Sequence, residues 1–356
     1  MLTRRSVLQF SLLPSFALLG GRRAVAQGTN VASMQIVDIG LPEGVTEPRA
    51  AGISDNGDVV INALIDDAPA VFLYRNESFE RFGGDDVPAS AATINEAGTA
   101  VGWSLGERGP AAVQFGEDML VTMPGDSVES RARGVNVEGT VVGEAVIEEG
   151  GPALPVYWTQ STVEVLPAAG DGSAGAVLDV NTIEQMVGWS ETGGELAARH
   201  ATLWEGGEAK DLGTLGGNLS EARAINETGL IVGASLTSAD QNTYQEAGGR
   251  ACSWQDGQIA DLGLGPDHAW GVANDVNDVG MIVGVAGRDG EDPAGITSVA
   301  VLWSVGEVLD LNEIATGGDG LVLVEAVAVN AFGQILCNAV DTDGQSRIVV
   351  LSVIGN

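Results

Sequence analysis

Short apolar runs, broken by tight-turn residues, recur along this chain in a fixed order. The pattern apolar-Asn-x-x-Gly-x-x-x-Gly appears seven times, anchored at Ser54 (in place of Asn), Asn95, Asn136, Asn181, Asn226, Asn277 and Asn330. The steps between anchors are 41, 41, 45, 45, 51 and 53 residues. Four residues before each anchor stands a small residue: Ala50, Ala91, Ala132, Ala222, Ala273 and Ala326, with Val177 the exception. Further on, an aromatic ends a second apolar run at Tyr74, Phe115, Trp158, Trp204, Trp254 and Trp303, with Leu351 in the seventh unit. A turn follows, as in "WEGG", "WQDG" and "WSVG", and then a polar-apolar pair such as Asp211-Leu212, Asp261-Leu262 or Asp310-Leu311. Each unit therefore reads as four short strands: one ending at the anchor, one through "IVG", one ending at the aromatic and one through "DLG". The Asn-x-x-Gly link suits a tight turn, in which Asn caps the first position and Gly takes the left-handed conformation that a side chain resists.

Four strands at a period of roughly 40 to 50 residues are the mark of a propeller blade. The expected fold is all-β: a seven-bladed β-propeller of four-stranded blades. In the seventh unit the fourth strand would fall beyond Asn356, while "MQIVDIG" (residues 34–40) forms an orphan whose Asp38-Ile39 matches Asp211-Leu212. The N-terminal strand is thus expected to complete the last blade and to leave no open sheet edge. The small residues near each anchor agree with inner strands crowded round an axis.

These units resemble the HAF repeats of exported bacterial and archaeal proteins, whose hallmark runs "DLGTLGG…S.A..IN..G.VVG.S……A.LW". The hallmark is nearly complete from Ala201 to Ala234, clear again from Asn277 to Leu311, and degenerate in the first three units. The resemblance implies an exported repeat scaffold and carries no reaction or catalytic residue with it.

The N-terminus points to export on its own terms. Arg4 and Arg5 precede a short apolar run, and Ala24 and Ala26 frame a small-residue cleavage site, so residues 1–26 read as an export signal of twin-arginine type. Pro14 and the shortness of that run argue against a membrane anchor, and no membrane span is expected in the mature form. The expected location is extracellular or periplasmic. The chain carries a net charge of -33, and because residues 1–26 hold four arginines and no acid, the remainder stands near -37. That balance excludes nucleic acid as a partner, since phosphate binding needs basic stripes; it fits a solvated surface kept soluble and monomeric by self-repulsion. Lys210 is the only lysine. Cys252 and Cys337 fall in non-adjacent units and are expected to be free and buried rather than bridged.

Candidate chemistry is sparse. The Gly-x-Ser-x-Gly elbow is absent, and "GTLGG" lacks the Lys-Ser/Thr pair and the helix of a phosphate loop. His200 and His268 are the two histidines, and with Arg199, Asp267 and Trp270 they would share one face of the ring; exposed loop positions are the plainer reading. Acidic turns at Asp55–Asp58, Asp289–Asp292 and Asp341–Gly344 raise calcium, but none has the spaced oxygen ligands of a calcium loop, and no other cofactor is implied. Asp179 and Asp275 stand two residues before their anchors, where the other units have Gly52, Thr93, Gly134, Ala224 and Ala328. They are expected to line the axial channel or to bond a neighbouring blade. The anchor asparagines suggest a ring of amides, although turn capping accounts for them better. Length variation lies in the link between the second and third strands, longest in units five and six, on the face that also carries the links between blades. Tyr244, Arg250, Arg288 and Asp289 on those links are the expected contacts for an unknown extracellular ligand or protein. The expected function is a binding or interaction scaffold; the alternative is a propeller lyase or hydrolase acting on an extracellular polymer. Carboxylates grouped at one channel mouth would favour the alternative.

Overall fold

The computed structural model describes residues 33–354 apart from 83–86, 117–119, 123–126, 160–161, 194–197, 239–242, 245–247, 289–296 and 305–306. The proposed signal at residues 1–26 and the turn at Asp289–Asp292 lie outside the described residues.

The chain forms seven sheets, each an antiparallel meander, and each corresponds to one repeat unit. The inner strands are Val45–Ile53, Ala89–Ile94, Glu129–Val135, Gly175–Val180, Ser220–Ile225, Trp270–Val276 and Val322–Val329. We number the blades 1 to 7 in that order. The seventh sheet takes its fourth strand from Met34–Asp38, which pairs antiparallel with Ser346–Val353 so that Met34 faces Val353 and Asp38 faces Val349. The architecture is a seven-bladed β-propeller closed by its N-terminal strand. One addition was not legible in the repeat. After a helical turn at Leu311–Ile314, the pair Ala315–Thr316 lies parallel to Met34 and Gln35, giving the closing sheet a fifth strand that covers its outer edge.

Burial is organised by seam. Val60, Leu73, Ala91 and Phe115 pack between blades 1 and 2, and Ala224, Val232, Val276 and Trp303 pack between blades 5 and 6. Comparable clusters fill the other five seams, including Ile39, Ile61, Leu336 and Ile348 between blades 7 and 1. Apart from a small cluster within blade 1 around Ala63, Ala70 and Phe72, the apolar faces of the blades are buried against their neighbours when the ring closes. The strand-ending tryptophans also reach across seams: Trp204 donates to the Pro167 carbonyl at 2.7 Å, Trp254 to Leu212 at 3.0 Å and Trp303 to Gly263 at 3.1 Å. Cys252 and Cys337 are buried, free, and on blades 5 and 7.

Every inner strand carries a β-bulge at the same place, three residues before the anchor, so that the register skips Ala51, Ala92, Arg133, Leu178, Arg223, Asn274 and Val327. The bulge explains the glycine of "VVG" and "IVG". A Cβ on Gly143, Gly188 or Gly233 would stand 2.0 Å from the carbonyl oxygen of the facing strand. Blades 1 and 7 have Ile61 and Cys337 there instead, and both carry a second register shift on the inner strand. The anchor turns behave as the sequence implies, with Gly229 at φ +77° and Gly280 at φ +79°; in blade 4 Glu184 takes the same left-handed conformation at φ +61°.

Candidate functional site

A channel runs along the axis, and residues of all seven blades line it. Because each blade is a meander, the anchor turns and the turns between third and fourth strands open on one face. The links between second and third strands and the links between blades open on the other, here called the loop face. The channel has a mouth on each.

At the anchor mouth each asparagine does two jobs. Its Oδ1 caps its own turn, accepting the N–H four residues on, as Asn95 does from Thr99 at 2.8 Å and Asn277 from Met281 at 3.0 Å. Its Nδ2 donates to the backbone carbonyl of the next anchor: Asn95 to Asn136 (2.8 Å), Asn136 to Asn181 (3.0 Å), Asn181 to Asn226 (3.3 Å), Asn226 to Asn277 (3.0 Å), Asn277 to Asn330 (3.0 Å) and Asn330 to Ser54 (3.0 Å). The ring of amides that turn capping alone had displaced is thus present together with the caps. It has one gap: Ser54 caps Asp58 through Oγ at 3.1 Å and is too short to reach the following anchor.

Acids crowd this end. Asp55 accepts the Ala331 N–H at 2.9 Å, Asp278 the Glu227 N–H at 2.9 Å, and Glu227 the Thr182 N–H at 3.0 Å, each across a seam. Burial, and then the charges of Asp55, Asp278 and Glu227, hold the Glu96 carboxyl above its ordinary range.

The waist of the channel is formed by Asp179 and Asp275, which line the cavities on both sides of it. These two residues line the channel and also bond a neighbouring blade. Asp179 accepts the Val180 N–H at 2.8 Å and the Ile225 N–H of blade 5 at 2.9 Å. Asp275 accepts the Val276 and Val329 N–H groups, both at 2.7 Å, and so ties blade 6 to blade 7. Burial pushes Asp179 up to about 7 against those two donors, with help from the Asp275 and Glu227 charges. Burial pushes Asp275 up to about 6 against its own donors.

Beyond the waist, the loop-face mouth holds a cavity of about 310 Å³ lined by Arg133, Arg223, Asn274 and Glu325 above the two aspartates. Arg133, Arg223 and Asn274 come from the bulges, which re-aim side chains at the axis, whereas Glu325 is in register opposite Asn338. Arg223 donates Nε to Glu221 at 3.0 Å and Nη1 to Asn274 Oδ1 at 2.8 Å. Asn274 donates to Glu325 at 3.2 Å and to the Ala326 carbonyl at 2.9 Å. Asn338 donates to the other Glu325 oxygen at 3.0 Å and accepts the Ala50 N–H at 2.9 Å. With the Arg199–Glu221 ion pair, this makes one chain of polar contacts from blade 4 through blades 5, 6 and 7 to blade 1. Arg133 stands apart from it. It pairs at 2.7 Å with Glu144 of its own blade, and its Nε is a buried donor with no acceptor.

The residues singled out from the sequence lie on the loop face, farther from the axis. His200 Nδ1 is 2.8 Å from Asp211, whose carboxyl burial would raise but which the His200 and Gly213 hydrogen bonds hold below its ordinary range. Arg250 is 3.9 Å from Asp261, and Arg288 is 3.6 Å from Asp310. Both His268 ring nitrogens are buried without a hydrogen-bond partner, and burial lowers its pKa against the Asp310 charge. Tyr244 is buried among Leu236, Val272 and the half-buried Trp270. Asp289 lies outside the described residues. His200 bonds Asp211 within blade 4, while His268 lies in the link between blades 5 and 6, and no hydrogen bond joins the two. The acid turns use their oxygens locally: Asp58 pairs with Arg75 at 2.8 Å, and Asp341 caps Asp343 and Gln345 and accepts from Arg347. Among the described residues no three His, Cys, Asp or Glu side chains are grouped to hold a metal ion.

Sequence reasoning missed Arg133, Arg223 and Asn274. Their signal was a charged or polar residue set inside an otherwise small and apolar inner strand, as in "RARGVN", "EARAIN" and "VANDVN".

No family model matches the chain, and no curated protein matches it in sequence. Among solved structures it is similar to a streptogramin B lyase, with 10% identity over 92% of this chain and all of that one, at a TM-score of 0.55. At that identity the likeness is one of fold, and the fold is the propeller described above.

Proposed function

We propose that this protein is an exported binding scaffold of the HAF-repeat kind, monomeric and acting outside the cytoplasm, whose ligand enters the loop-face mouth of the axial channel. The observation that carries this reading is the gathering of blade-specific polar residues, Arg133, Arg223, Asn274, Glu221 and Glu325, round a cavity on an otherwise repetitive ring. Closure by the N-terminal strand and the six asparagine bridges make a rigid frame, so these groups hold their places without a ligand to order them, which lowers the cost of binding. The twin-arginine signal and the charge balance support the location.

The test is a thermal-shift panel of saccharides, small organic acids and divalent cations, calcium included. A compound that raises the midpoint of the wild type and loses that effect in Arg223→Gln supports the reading. Shifts that all survive Arg223→Gln and Arg133→Gln contradict it.

A second reading, a lyase or hydrolase, draws on the waist. A carboxyl held near neutrality in a channel rimmed by acids is the kind of group that serves as a general acid or base. Against it, both Asp179 oxygens already accept backbone N–H groups at a blade seam. Turnover of any extracellular polymer that Asp179→Asn abolishes while the fold survives would establish it.

A further inference from the structure

Within the loop-face cavity the charged positions are unevenly placed. The bulge residue is Arg133 in blade 3, Arg223 in blade 5 and Asn274 in blade 6; it is Ala51, Ala92, Leu178 and Val327 in blades 1, 2, 4 and 7. One repeat position sets one backbone depth along the axis, and both arginines, on either side of Leu178, line the same cavity. The alanines leave room on the other side.

Each arginine is held by a carboxylate of its own blade, Arg133 by Glu144 and Arg223 by Glu221, at 2.7 and 3.0 Å. A guanidinium carries five N–H donors. Glu144 takes part of the Arg133 fork, and Glu221 with Asn274 takes Nε and Nη1 of Arg223, so N–H donors are left over on each; the Arg133 Nε is a buried donor without an acceptor. Two oriented forks with donors to spare suit a planar anion, which takes paired N–H bonds from arginine. The charges beneath are occupied: Asp179 and Asp275 each accept two backbone N–H groups. Glu325, at the edge of the same cavity, offers carboxylate lone pairs suited to hydroxyl groups, while both Asn274 amide hydrogens are already taken by Glu325 and the Ala326 carbonyl. The cavity, at about 310 Å³, is of a size to hold a single compact ring.

We infer that the loop-face mouth binds a small hydroxylated carboxylate, with its carboxylate toward Arg133 and Arg223 and its hydroxyls toward Glu325. This rests on the binding reading above and narrows it to one chemical class, that of a uronate or hydroxy acid.

Three probes separate the terms: D-glucuronate, D-glucose, which shares the ring and lacks the carboxylate, and inorganic phosphate, which has the charge without the ring. Calorimetric titration of the purified protein should show D-glucuronate binding at least ten-fold more tightly than either of the others. Arg133→Gln should weaken D-glucuronate binding at least ten-fold. That arginine makes its ion pair within its own blade, so its urea midpoint serves as the check that the fold is intact. Arg223→Gln should do the same, with some loss of stability because Arg223 also ties blade 5 to Asn274. Equal binding of D-glucose, lost in Glu325→Ala, would overturn the carboxylate and leave the mouth as the binding site. Phosphate binding as tightly as D-glucuronate would overturn the organic acid. D-glucuronate binding that is unchanged in both arginine variants, or no binding at all, would overturn the inference outright.

Discussion

At the anchor mouth one side chain performs the same two tasks in six of seven blades, whereas at the loop-face mouth the residue in the equivalent bulge changes from Ala51 and Ala92 to Arg133, Leu178, Arg223, Asn274 and Val327. The two ends belong to one channel and share the same inner strands. What differs is the partner each side chain seeks. The anchor asparagines bond backbone groups, which every blade supplies, so one residue type serves throughout. The bulge residues meet other side chains and the cavity, which each blade supplies differently. Repetition therefore marks the frame, and departure from it marks the place where this protein differs from a bare ring.

The largest effects should come from the frame. Asn277→Ala removes a buried donor to the Asn330 carbonyl and the acceptor for the Met281 N–H, and should cost about 2–4 kcal/mol. Urea denaturation measures it, and a loss below about 0.5 kcal/mol would show that the amide ring is ornamental.

Next comes the waist. Asp179 and Asp275 are raised from 3.8 to about 7 and about 6, so between those limits the folded chain keeps protons that the unfolded chain has released. Unfolding then sheds protons, and stability falls as pH rises through the window. The expected gain on going from pH 8 to pH 5 is on the order of a few kcal/mol, and Asp179→Asn should flatten the profile. A stability that climbs from pH 5 to pH 8 would contradict this assignment.

Smaller still is the gap in the ring. Ser54→Asn would supply the missing donor toward the Asn95 carbonyl and should stabilise by about 1 kcal/mol in the same denaturation assay. At the other mouth, Arg133→Gln removes a partly exposed ion pair, for which about 0.5 kcal/mol or less is expected.

The fold was legible because it is written seven times. Seven anchors gave the blade count, and the orphan at Asp38-Ile39 gave the closure that the pairing of Met34–Asp38 with Ser346–Val353 shows. The fifth strand at Ala315–Thr316 was not legible, because it is two residues long and belongs to no repeat. Nor was the bulge. It breaks the two-residue alternation of a strand, so nothing in the alternation marks Arg133 and Arg223 as residues aimed at the axis. Loop length drew attention outward to Tyr244, which is packed in a core, and to Arg250 and Arg288, which sit beside Asp261 and Asp310. Length reports where the chain tolerates insertion, while the charged bulge residues report what the channel presents.

Arg133 and Asn136 offer the most direct test, since one lies in an inner strand, the other begins the turn just past its end, and they line opposite mouths. Urea stability and D-glucuronate affinity should be measured together for Arg133→Gln and Asn136→Ala. The account predicts that the arginine variant keeps its stability and loses at least ten-fold in affinity, while the asparagine variant loses stability and keeps its affinity. If the arginine variant binds as the wild type does, or if only the asparagine variant fails to bind while folded, the division between frame and site is wrong.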